Sequence, residues 1–161
     1  MRRDDEMIAS LCQDLDLDLD CYNFQFLWLM PIIEVMWADG RCQKEEIETL
    51  FYYVDAFVKL VRADVPEITS DRARRFFLPL LEGPAPKDPR KQASLARLVD
   101  QIVQDVVEPS PQDKRSRLFH ICTEVAAAAR AEEQDEPGRR ISAEEGRLLK
   151  ELFRALRLDA A

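Results

Sequence analysis

Apolar residues in this chain return every three or four positions almost from end to end, a spacing that gathers them on one face of an α-helix. The clearest case is 44–62, where Ile47, Leu50, Phe51, Val54, Val58 and Val61 form a single stripe, so one side of this helix is expected to face a core. The stretch "TSDRARRFFLPLLEG", 69–83, has cap residues in front, a Pro79 expected to bend it and Gly83 behind. After the connection "GPAPKDP", Asp88-Pro89 reads as an N-cap followed by proline at the first helical position. The stripe Leu95, Leu98, Val99, Ile102, Val103 and Val106 should end before Pro109. Ser110-Pro111 with Asp113 has capping-box spacing and should restart a helix that runs to about Ala131. Ser142 opens a last helix with Leu148, Leu149, Leu152, Phe153 and Leu156 on one side. With 4–14 included, the expectation is an all-α bundle of about seven helices in one domain, 1–161, with no sheet.

Only "DLDLDLD", 14–20, alternates. Acids at every second position match the start of a calcium loop, but the position that needs glycine is Leu19 or Cys21 and the closing Glu is Gln25 or Leu27. A solvated turn with Asp20 as an N-cap is expected instead. The apolar run from Phe24 to Ala38 is too short to span a bilayer and carries Glu34, which makes it a buried core helix. "MRRDDEM" has no apolar segment behind its arginines, so it is not read as a signal peptide.

Net charge is −8, with 23 Lys and Arg against 31 Asp and Glu, and the bases are interleaved with acids. Binding to a phosphate backbone is built from clustered cations, so no nucleic-acid partner is expected, and membrane association is at most peripheral. Cys12, Cys21, Cys42 and Cys122 have no CxxC or CxxxC spacing and read as reduced core cysteines of a cytoplasmic protein. His120 is the only histidine and reads as a surface residue. A di-metal carboxylate enzyme would need Glu-x-x-His on two helices, and a Ser or Cys nucleophile would need a positioned histidine base; one histidine supplies neither arrangement.

The acids are more informative than the bases, because two stretches repeat one arrangement. In the first, about 30–57, an apolar helix carries Glu34, Ala38-Asp39-Gly40 comes next, and the following helix opens with Glu45-Glu46. In the second, about 118–158, a helix carries Glu124, the loop 132–140 is acidic, and Ser142 precedes Glu144-Glu145. In both, Leu stands four residues after the second Glu, at Leu50 and Leu149. At 100° per residue, Glu46 and Glu145 turn toward their apolar stripes while Glu45 and Glu144 turn to water. Capping alone explains acids at the third helical position, as in Ser142-x-x-Glu145 and the poorer Gln43-x-x-Glu46. It does not explain Glu34 and Glu124, whose convergence with the loop acids would suit a hard cation such as Ca²⁺ or Mg²⁺.

"ADGRCQKEEIETLF" and "GRRISAEEGRLLKELFRALRL" resemble the recurring ADG-x-[IV]-S-x-x-E pattern of TerB-like domains. Chain length and the internal repeat also fit that family. The resemblance implies an all-α fold of about seven helices with pseudo-two-fold symmetry, and acids of the two motifs that bind metal. By position that role falls on Asp39 and Glu46 in the first copy and Glu145 in the second, with Glu34 and Glu124 on the preceding helices. The sequence departs from the pattern at Cys42-Gln43, and "AEEQDEPG" replaces the second Ala-Asp-Gly, with Asp135 standing in for its aspartate. The family is associated with tellurite resistance, other stress responses and membrane-linked assemblies.

The function expected from these readings is a non-enzymatic, acidic helical module that binds a divalent cation, a protein partner or both, without an organic cofactor, and a homodimer is compatible with it. A metal-free interaction scaffold is the alternative, and the di-metal carboxylate enzyme ranks behind both.

Overall fold

The computed structural model describes residues 3–38, 42, 44–83, 85–107, 110–128, 143–156 and 158. Among them are seven α-helices and no strand. Helix α1, Arg3–Asp14, ends at a turn in which Asp16 takes φ 61°, a left-handed conformation that aspartate tolerates better than most side chains. The alternating stretch lies here, outside any strand, with Leu15 and Leu17 buried while Asp16, Asp18 and Asp20 are exposed. Asp20 caps the next turn, its Oδ1 accepting from the backbone N–H of Tyr22 at 2.9 Å and of Asn23 at 2.7 Å. Those bonds, with Arg72 beside it, hold its carboxyl below the ordinary aspartate range.

The apolar run after Asp20 is two elements, a 3₁₀ helix at Asn23–Leu29 and α2 at Met30–Trp37. Every residue of α2 except Glu34 is buried, because α5, α6, α7 and the 3₁₀ helix all pack around it. This central position explains why the run carries no polar stripe. Helix α3, Lys44–Val61, packs on α4, Ser70–Leu81, and on α6, Gln112–Ala128. Thr69 caps α4 by accepting from Arg72 N–H at 3.1 Å, and Pro79 lies inside the helix without ending it. Phe76 and Phe77 meet Phe26 of the 3₁₀ helix with ring centroids 5.4 and 5.9 Å away. The Trp37 indole donates to the Leu80 carbonyl at 2.8 Å; that carbonyl lies in the last turn of α4, and the residue four positions on is Pro84, which has no N–H to offer.

Asp88 and Pro89 begin α5, Pro89–Ile102, and Asp88 accepts from Arg90 N–H at 2.9 Å. The stripe that begins in α5 continues past it through a π-helical turn, Val103–Val107. The capping box expected at Ser110 does not form. Its hydroxyl donates backward to the Val107 carbonyl, and α6 starts at Gln112. Helix α7, Ala143–Ala155, lies against α6 and α2. One cluster of buried apolar side chains draws on all seven helices. No helix among the described residues is long and apolar enough to cross a membrane. Of the four thiols, Cys12 and Cys122 are core residues as expected, whereas Cys42 is half-buried and Cys21 is exposed.

Candidate functional site

Glu34 is the one residue of α2 that the surrounding helices do not fully cover, and it opens into a crevice of about 250 Å³. The walls come from α5, the first residues of the π turn and α7, and they bring Asp100 and Glu151 to the same space. Burial, followed by repulsion from Asp100 and Glu151, pushes the Glu34 carboxyl up to about 8. At neutral pH the group therefore holds a proton for much of the time. The thiol of Cys122 on α6 is also raised, by its own burial first and by the Glu34 charge second.

The other acids singled out by the sequence lie in different surroundings. Glu46 is fully buried in the first turn of α3, as its position on the stripe implied, and Glu45 is half-buried rather than turned to water. The neighbouring Cys42 thiol is pushed up to about 12, by burial first and by the charge of Glu46 second, against a lowering hydrogen bond from Trp37. Glu124 is exposed on α6, where it accepts from the Tyr53 hydroxyl and lies 3.0 Å from His120 Nε2, one turn away. That bond is the main reason the Tyr53 hydroxyl is pushed up to about 12. Asp39 and Asp135 fall outside the described residues, as do the side chain of Glu145 and the Gln43 end of the first capping box. Among the described residues, no group of three or more His, Cys, Asp and Glu side chains is placed to hold a metal ion.

A larger concavity, about 470 Å³, was not expected from the sequence. It lies between α3 and α6, closed at one side by the 3₁₀ helix. From α3 it takes Tyr53, Ala56, Phe57 and Leu60, which recur at i, i+3, i+4 and i+7. They form a second apolar stripe beside the Leu50, Val54 and Val58 face that enters the core. The 3₁₀ helix adds Phe24 and Trp28, and α6 adds Leu118 and Ile121 as a floor. Two lips stay in water: Leu60 is 68% exposed and Phe24 44%. Lys114 and Arg117, from the first two turns of α6, line it as well. The width of the apolar surface on α3 was the available signal, since Tyr53, Phe57 and Leu60 lie beyond what one core-facing stripe requires.

The groove combines an apolar, partly aromatic lining with a few polar groups, the general make-up of a binding surface. The crevice at Glu34 is smaller and brings the carboxyls of Asp100 and Glu151 to that of Glu34. Compared with protein-family models, with curated proteins and with solved structures, the chain matches none of them.

Proposed function

We propose that this protein is a non-enzymatic binding module whose working surface is the groove between α3 and α6. The observation that carries this reading is the exposure of Leu60 and Phe24 on the two lips of an already apolar groove. Full burial of such a side chain is worth roughly 1.5–3 kcal/mol, and a docked partner would recover the part that its present exposure forgoes. Contiguous apolar surface of this kind marks interaction sites more often than isolated exposed residues do. The described polar groups favour binding over catalysis. Glu124, Tyr53 and His120 are bonded to one another at the surface, and among the described residues no nucleophile with a positioned base accompanies them. The free thiols suit a reducing compartment such as the cytoplasm.

The likeness to TerB-like domains, with the repeat and the stress-response role it implies, rests on the two motif stretches. The helix pairs of those stretches, α2 with α3 and α6 with α7, enclose one shared core. The two cation sites expected, Glu34 with Asp39 and Glu46, and Glu124 with Asp135 and Glu145, each include acids outside the described residues, while Glu34 faces Asp100 and Glu151 and Glu124 is engaged by Tyr53 and His120. No binding step is therefore routed through a metal. A rise of several degrees in melting temperature with millimolar Ca²⁺, lost in Asp39→Asn, would return the cation to the account.

Trp28 lines the groove and Trp37 is buried away from it, so emission reports occupancy. Titration with a helical peptide bearing Leu and Phe at i, i+4 and i+7 is expected to give a saturable change at one peptide per chain. Leu60→Glu, at an exposed lip, should remove that change while the fold persists. No response to any such peptide would assign the groove to internal packing alone.

A further inference from the structure

The walls of the groove differ chemically. Most of the lining is aromatic and aliphatic, no acidic side chain among the described residues belongs to it, and two cations, Lys114 and Arg117, stand on the α6 side. On a chain of net charge −8, that local balance is the reverse of the whole. Several other cations are already matched: Arg72 lies 3.0 Å from Asp20, Arg74 3.2 Å from Asp55 and Lys91 2.9 Å from Asp16. Lys114 and Arg117 form no ion pair among the described residues. Lys114 stands in the first turn of α6, where the positive end of the helix dipole adds to its field, and Arg117 follows in the second turn. Tyr53 feels the charge of Arg117 and donates its hydroxyl to Glu124.

The groove face of α3 runs from Tyr53 to Val61, which at 1.5 Å per residue is about 12 Å, or two helical turns. Such a length accepts anchors at i, i+4 and i+7 of a docked helix. Lys114 and Arg117 are three residues apart on α6, the interval at which side chains on one helix face are neighbours. Phe24 and Leu60 line the groove and are still partly in water, so its apolar surface continues to the rim.

Resting on the reading of the groove as a docking surface, we infer that its occupant is a short amphipathic helix of a partner protein, with carboxylates flanking its apolar face on the side that meets Lys114 and Arg117. The apolar face supplies most of the affinity. The carboxylates fix which side of the docked helix faces α6 and speed the encounter, since the rest of the acidic surface repels them.

Three labelled peptides with one shared apolar face and Glu, Gln or Lys at the flanking positions test this by fluorescence anisotropy at low and high salt. The Glu peptide is expected to bind about tenfold more tightly than the Gln peptide at low salt, with the Lys peptide weakest and the differences shrinking at high salt. In the double variant Lys114→Glu and Arg117→Glu, both at the surface, the order should reverse. Equal binding of all three would overturn the charge inference and leave the groove reading standing. Binding of none would overturn both. A medium-chain fatty acid that displaces the Glu peptide stoichiometrically and binds more tightly than it would make the occupant a small amphiphile. A dimer that excludes the peptides and is lost in Leu60→Glu would make it a second copy of this chain. Either result overturns the proposal.

Discussion

The crevice around Glu34 and the groove beside Tyr53 are both concave, yet they are built from different helices and opposite chemistry. Helices α2, α5 and α7 bring three carboxyls to a crevice of about 250 Å³, while the 3₁₀ helix, α3 and α6 bring apolar side chains and two cations to a groove of about 470 Å³. Burial first, and repulsion from Asp100 and Glu151 second, favour a proton on Glu34, a response that needs no partner. Exposed apolar lips on the groove are relieved only when something covers them. Of the acids that stand out in the sequence, Glu34 lies in the crevice, away from the apolar groove, and Glu124 only borders that groove through its bond to Tyr53.

The largest effect that sharpens this contrast comes from the floor of the groove. Leu118 lines the groove yet is 1% exposed, because its side chain also fills the core. Leu118→Ala is expected to cost about 3 kcal/mol in denaturant unfolding, as for other buried leucines. A cost below about 1 kcal/mol would mean that α6 is not packed there as described.

A smaller effect of opposite sign belongs to the crevice. The ordinary carboxyl value is 4.5 and the folded value of Glu34 about 8, so the folded chain holds a proton here that the unfolded chain releases between those limits. Stability from this group is therefore full below about pH 4.5, falls as pH rises and is gone above about pH 8. Glu34→Gln should remove that slope and stabilise the protein at pH 8 by something on the order of 1–3 kcal/mol. Melting curves from about pH 5 to pH 8 check it; a destabilised variant would mean that the ionised carboxylate holds a partner at neutral pH.

The acid at the bottom of that crevice was legible in the sequence, while the groove was not, and the reason lies in what each residue type reveals. A glutamate flanked by Ile32, Ile33, Val35 and Met36 has nowhere to go but a buried or half-buried place, so Glu34 identified itself. Helix starts at Thr69 and Asp88 were legible for a similar reason, since cap residues act locally. Phe57 and Leu60 read as ordinary apolar residues of a core helix, because periodicity says which face is apolar and not whether another element covers it. The split of the run 23–37 into a 3₁₀ helix and α2 had a local signal in Pro31, in the first turn of α2, that the apolar run masked, whereas the π turn at 103–107 has no breaking residue to mark it. The partners of Glu34, Asp100 and Glu151, come from α5 and α7, far along the chain, and a local motif cannot name them.

Lip and floor should separate cleanly. Leu60→Glu is expected to change stability by no more than about 0.5 kcal/mol, since Leu60 is 68% exposed, while removing peptide binding. A destabilisation comparable with that of Leu118→Ala would break the distinction between an open groove and an ordinary core. The smallest effect is expected at Tyr53→Phe, which removes the hydroxyl bond to Glu124 at a largely solvated site and should cost a few tenths of a kcal/mol, about 0.5 at most.

Amide chemical-shift mapping of the one-to-one complex with the acid-flanked peptide reports both concavities at once. The shifts are expected to concentrate on 24–29, 53–61 and 110–121, with Asp100–Gln104 and Leu148–Leu152 unchanged. Shifts centred on Asp100, Gln104 and Glu151, with Phe57, Leu60 and Ile121 silent, would contradict it and transfer the binding surface to the crevice.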